Sequence, residues 1–210
     1  MAYQPLLLNP STPPQARTLI QHVEALSFND IHSMLRLPLA DYGITAGCNF
    51  AITHVLMSVI GGVSTTLYKQ SGEVGTKFKG VLVDFFPWDL EPTGSLGSND
   101  AAKAIYDVFR NPLTHDLGLD VKQKSKGVKV LVKRLKTQSH SSRDTGLTET
   151  HIEILERAQT RPKMSATVTA TAQEKILLVE GLYWGIRRMI ERLSADQKLM
   201  AAAESFLVNL

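Results

Sequence analysis

Arg110 and His115 lie five residues apart in the run Arg110-Asn111-Pro112-Leu113-Thr114-His115, and of all the residues here this pair is best suited to moving protons at a phosphate. An imidazole titrates near neutrality and can act as general base or acid, whereas a guanidinium stays charged and grips a phosphate bidentately. Metal-free RNA cleavage needs those two services. One group takes the 2′-hydroxyl proton, another protonates the leaving oxygen, and positive charge stabilises the five-coordinate phosphate. On an ideal helix a five-residue spacing turns the two side chains about 140° apart. The pair therefore converges only if Pro112 kinks or restarts the helix, or if a second subunit completes the site. Asn111 can cap a restarted turn that has Pro112 in its first position. The plain alternative is structural, since arginine and histidine near a helix end are common on a solvated face.

The stretch from Ser98 to Leu119 carries these residues. Its periodicity predicts a helix from about Asn99, with Ala101, Ala102, Ile105, Val108 and Phe109 inward. Lys103, Asp107, Arg110 and Thr114 fall near the opposite side, with Tyr106 at the margin. Ser98 or Asn99 is expected to cap the start, and Asp100 suits the positive end of the helix dipole. Pro112 removes a donor just where the polar cluster begins.

Arg110-Asn111-x-x-x-His115, late on an amphipathic helix in a mostly helical chain, resembles the motif of HEPN domains. That motif is an arginine, a polar residue, and a histidine four to six positions past the arginine; Asn111 matches the polar place. The resemblance implies a bundle of four or five helices that dimerises, setting two motifs across a shared cleft. Many members are metal-independent endoribonucleases of toxin–antitoxin, phage-defence or RNA-processing systems; others are inactive, or bind nucleotides or protein partners. Carried over, Arg110 would hold the scissile phosphate, His115 would be the acid or base, and Asn111 would orient one of them. Tyr106 and Asp107, one turn earlier, would support the site. The similarity in helix order covers roughly residues 48–68, 99–118 and 171–194.

The totals set bounds on the rest. A chain of 210 residues, 43% hydrophobic and 20% charged, suits one globular domain with a sizeable core. A formal charge of +3 is too weak by itself to argue for nucleic acid. One cysteine, Cys48, excludes an internal disulfide and a cysteine-based zinc site. Cys48 reads as a small buried hydrophobe rather than a nucleophile. The histidines (His22, His32, His54, His115, His140 and His151) form no ligand-spaced pair, so neither metal nor cofactor is expected. The opening residues lack the pattern of a signal peptide, and a cytoplasmic location with no membrane partner is the expectation.

Along the chain, residues 1–11 read as a flexible arm and 12–210 as one helical-bundle domain with an insertion at about 121–170. Thr12-Pro13-Pro14-Gln15 resembles a capping box opening a helix to about Leu26, with Leu19, Val23 and Leu26 as its apolar stripe. A short second helix follows over Ser27 to Leu37, with Ile31, Met34 and Leu35 inward, and LADYGITAG reads as turns. A central helix is expected over about Cys48 to Tyr68, kinked or closely crossed at Gly61-Gly62. Its most apolar window, Phe50 to Val63, is short for a membrane span. On this helix His54 is expected to be packed or hydrogen-bonded. Lys69 to Gly97 reads as a long linker in which VLVDFFPW forms a short strand or a packed segment.

From Val121 to Gln138 the chain has no acid and seven basic residues: Lys122, Lys124, Lys126, Lys129, Lys133, Arg134 and Lys136. This tract is either a soluble strand with its flanks or a phosphate-facing surface. Lysines on both faces of a strand cannot all touch one ligand. A strand near Gly127 and a second at SATVTATA are expected to pair as a ribbon around an inserted loop and short helix at 138–163. Thr171-Ala172-Gln173-Glu174 reads as a capping box opening a long helix, in which Gly181 and Gly185 can admit a close neighbour. A final helix is expected from Ser194. The fold class is thus mainly α, a HEPN-like up-and-down bundle of four to five helices with a small inserted β-ribbon. The expected partners are a second copy, RNA, or a protein such as an antitoxin. The expected function is RNA cleavage or binding in a prokaryotic defence, toxin or stress system, with an inactive interaction module as the alternative.

Overall fold

A computed structural model describes residues 5–36, 48–92, 96–115, 126–133 and 166–209, without the side chains of residues 36, 114 and 115. The turn region at 38–47 and the loop and helix expected at 138–163 lie outside the described residues, as do Lys122, Lys124, Arg134, Lys136, His140 and His151.

The architecture is mainly α-helical with a small open three-stranded sheet. Helix α1 runs over residues 14–36: Pro14–Val23 is α, Glu24–Phe28 widens into a π turn, and Asn29–Arg36 returns to α. Two helices were expected here. The wide turn instead joins them and buries Phe28 and Ile31 on the same side as Ile20, leaving Leu26 57% exposed and outside the stripe. The expected capping box does not form. Pro13 is the N-cap, and Thr12 Oγ1 donates to Ser194 O at 2.8 Å, which ties the start of α1 to a later helix. Ahead of it Leu6 is buried, and its N–H donates to Glu24 Oε1 at 2.6 Å.

Helix α2 spans Asn49–Val63 and ends in a second π turn, Ser64–Tyr68. Ile52, Leu56, Ile60 and Leu67 are almost wholly buried, each contributing about 1.5–3 kcal/mol. Gly61 and Gly62 precede the wide turn, and their carbonyls accept from the hydroxyls of Ser64, Thr65 and Thr66. His54 is exposed rather than packed, and Cys48 is half-buried at φ 52°, a left-handed residue just before the helix. By length and composition Asn49–Tyr68 could cross a membrane, but half of its most apolar window is buried inside the fold.

Residues 74–85 form helix α3, Val74–Phe85, where a linker containing a strand was expected. Phe78, Val81, Leu82 and Phe86 are buried at helical spacing, and a short 3-10 turn, Trp88–Leu90, follows. Helix α4 runs over residues 98–115 as Ser98–Ala104, a π turn Ile105–Arg110, and Asn111–His115. All five expected inward residues of α4 are buried. Gly97 occupies its N-cap with no side-chain bond, so neither Ser98 nor Asn99 caps it.

The sheet departs most from expectation. Strand β1 is Lys129–Lys133, β2 is Val168–Ala170 and β3 is Glu174–Leu178, in the order β1-β3-β2. β1 and β2 do not pair with each other. β1 runs parallel to β3, with Lys129 opposite Glu174, and β2 pairs antiparallel to β3, with Ala170 opposite Lys175. Residues 174–178 were expected in a helix. Thr171 Oγ1 does accept from Glu174 N at 2.9 Å, as a capping threonine would, but Thr171 N also donates to Glu174 O at 2.7 Å and closes a hairpin.

Helix α5, Val179–Ala195, leads directly out of β3, and α6, Gln197–Val208, follows with Asp196 as its N-cap, accepting from Leu199 N at 3.0 Å. α5 packs against α2 and α3 and buries Leu182, Ile186, Met189, Ile190 and Leu193 completely. α6 closes the structure against α1 and the last turn of α2. Gly181 and Gly185 do admit close neighbours. A Cβ on Gly185 would fall 2.0 Å from the Phe86 ring, and one on Gly181 would fall 2.7 Å from Thr167 Oγ1.

Candidate active site around Arg110

Helix α4 packs beside α3. Pro112 has no N–H to give, and just before it the ladder has already lengthened: Asn111 N–H bonds to Tyr106 O, five residues back. The helix therefore widens ahead of Pro112 and continues. Asn111 keeps helical angles, φ −62° and ψ −49°, so it does not cap a restarted turn. Wide turns of this kind occur often at functional sites.

Four side chains gather here. Tyr106 is half-buried, with its ring 5.2 Å from that of Phe78 and its hydroxyl end over Gly75, where a Cβ would come within 2.8 Å. The absence of a side chain at Gly75 makes room for the phenol. Arg110, half-buried, lies with Cζ 5.4 Å from the Tyr106 ring centre, and its Nη1 donates to Asn111 Oδ1 at 2.9 Å. Lys79, from α3, sets its ammonium 5.4 Å from the same ring centre. Asp107 is exposed on the same turn. Of the expected site residues, Arg110, Asn111 and Tyr106 are thus brought together, and Asp107 stands beside them facing solvent. The backbone of His115 continues α4, while its side chain lies outside the described residues.

Lys79 was not among the expected residues because its segment read as a linker. The spacing of Phe78, Val81 and Leu82 fits a helix with Lys79 on its flank, but Val81-Leu82-Val83 fits a strand as well. In the basic tract, Lys126, Lys129 and Lys133 are exposed. The two strand lysines alternate with buried Val130, so they share one face of β1. Lys129 pairs with Glu174 at 3.7 Å, a solvated contact worth little. β1 and the last turn of α4 both border α2.

The groups with displaced pKa values lie elsewhere. Burial, then a hydrogen bond to Asp84, raises the Tyr68 phenol far above its ordinary value. A hydrogen bond from Arg192 holds the Asp89 carboxyl below its ordinary value, against a smaller opposing effect of desolvation. Among the described residues no group of histidine, cysteine and carboxylate side chains could hold a metal ion. Compared with known proteins, the chain matches no family model, no curated protein and no solved structure.

Proposed function

We propose that this protein is a cytoplasmic, HEPN-like, metal-independent endoribonuclease or RNA-binding protein of a prokaryotic defence, toxin or stress system, working as a homodimer. The observation that carries the reading is the bond from Arg110 Nη1 to Asn111 Oδ1 at 2.9 Å. The polar residue of the motif thereby orients the arginine, and an oriented guanidinium is what recognition of a phosphate requires. In this reading Arg110 stabilises the phosphate, His115 transfers the proton, Asn111 orients Arg110, and Tyr106 and Asp107 shape the surroundings. The exposed Lys126, Lys129 and Lys133, together with Lys122, Lys124, Arg134 and Lys136 of the same tract, would attract the RNA backbone.

The test is incubation of mixed RNA with the protein in EDTA, comparing wild type with Arg110→Ala and His115→Ala. Loss of the general acid or base at His115 lowers a rate by about 10²–10⁴-fold, and loss of the charge stabilisation by Arg110 lowers it by about 10²–10³-fold, so both variants should be nearly inactive. Intact RNA with wild type, or equal cleavage by all three, overturns the nuclease. A second reading, an inactive interaction module, draws on the same geometry, because Arg110 is engaged by residues of its own helix. It predicts a recoverable protein partner and no RNA turnover.

A further inference from the structure

The residues ahead of α1 are seated between two helices. Leu6 is buried, Leu7 exposed and Leu8 half-buried against the core, the alternation of an extended segment held by every second side chain. Two successive backbone donors go to carboxylates on different helices. Leu6 N–H reaches Glu24 Oε1, in the π turn of α1, at 2.6 Å, and Leu7 N–H reaches Glu191 Oε1, on α5, at 3.2 Å. Arg188 bonds the other oxygen of Glu191 at 2.7 Å and so fixes that acceptor. Acceptors for the backbone, joined to seats for alternate side chains, are how a protein receives an extended peptide. Here the peptide is the chain's own.

A turn folds that arm back along α1. Thr12 N–H bonds to Asn9 O at 3.0 Å with Pro10 inside the turn, and Asn9 Oδ1 accepts from Ser11 N–H at 2.9 Å. Arg17 closes over it from α1, where its Nη2 donates to the carbonyls of Asn9, Pro10 and Thr12. The guanidinium therefore clasps the hinge and leaves the seated leucines alone.

We infer that this groove is an interface between copies of the chain: when the turn opens, the arm of each copy seats in the groove of the other. Every contact of the seated arm is then reproduced between chains, so the fit is guaranteed by identity. Only the hinge and the entropy of association decide which form prevails, and two reciprocal exchanges close a twofold dimer. This rests on the homodimer part of the proposed function, for which it names the surface, and not on the RNA chemistry.

The test combines light scattering over a range of concentrations with peptide binding, on full-length wild type, Arg17→Ala, Leu6→Asp and the milder Leu6→Ala. Circular dichroism matching wild type shows that each variant folds. Arg17→Ala frees the hinge without touching the seat and should dimerise about tenfold more tightly than wild type. Leu6→Asp should be monomeric, with Leu6→Ala between it and wild type. The vacated groove of Leu6→Asp should bind a fluorescein-labelled peptide of residues 5–11 about tenfold more tightly than wild type does, because its own arm no longer competes. The same peptide carrying Leu6→Asp should not bind. If Leu6→Asp takes up the peptide while Arg17→Ala stays monomeric, the groove accepts peptides without joining copies and the inference is overturned. If wild type and Leu6→Asp are equally dimeric, the copies meet through another face, so the exchange falls and the homodimer stands. If every protein is monomeric, both fall.

Discussion

An arginine held by an aromatic ring and a neutral amide keeps its full charge, whereas a carboxylate partner would largely cancel it. Tyr106 and Asn111 are two contacts of this kind made by Arg110. Asp89 pairs directly with a guanidinium, at a site with no proposed chemistry. Arg192 donates to its carboxylate at 3.0 Å and lowers its pKa in the folded state. The unfolded chain therefore takes up the proton first as pH falls. The stability from this pair is fully present above the unfolded carboxylate value of about 3.9 and is lost as pH drops through the folded value. The side chains are 40% and 61% exposed, so screening keeps the effect small. Asp89→Asn should lower Tm at pH 7 by no more than about 3 °C, with the gap closing toward about pH 3. Calorimetry across that range checks it; a gap independent of pH would rule out the ion pair as its cause.

At the scale of elements, the glycines sort into two kinds. Gly185 seats the Phe86 ring, so an added methyl must displace a buried aromatic, whereas nothing lies within 4 Å of the Cβ position at Gly62. Gly185→Ala should destabilise by about 1–3 kcal/mol through overpacking. Gly62→Ala should stabilise by about 0.5–1 kcal/mol through helix propensity. Urea unfolding of the two variants distinguishes them, and equal effects would disprove the close crossing. The same elements show what the sequence makes legible. The inward face of α4 and the core of α2 were readable because their apolar residues recur at helical spacing with no competing signal. α3 was not, because Gly75 and Gly80 lower helix propensity and Val81-Leu82-Val83 favours a strand. Those glycines are explained only by tertiary contacts: a Cβ on Gly80 would fall 2.9 Å from the Tyr68 hydroxyl, as one on Gly75 would meet Tyr106. β3 was hidden for another reason. A threonine accepting from the N–H three residues on is shared by a helix cap and a hairpin turn, and Ile176-Leu177-Leu178 fits either. Of the site, Arg110, Asn111 and Tyr106 could be found from one helix, but Lys79 required knowing that a second helix exists.

Among the described residues, α5 is the element most enclosed, contacted by α2, α3 and α6 and entered directly from β3. The sheet is joined in an unusual order for its size. β2 and β3 are local partners, whereas β1 reaches β3 from more than forty positions earlier in the chain. β1 meets β3, and α2 meets α5, through non-covalent contacts. Those contacts join residues 166–209 to surfaces supplied by earlier residues. Two separately encoded pieces, residues 1–149 and 150–210, should reassemble when expressed together, and a tag on the first should retrieve the second. Recovery of the first piece alone would mean that these surfaces do not hold the halves together by themselves.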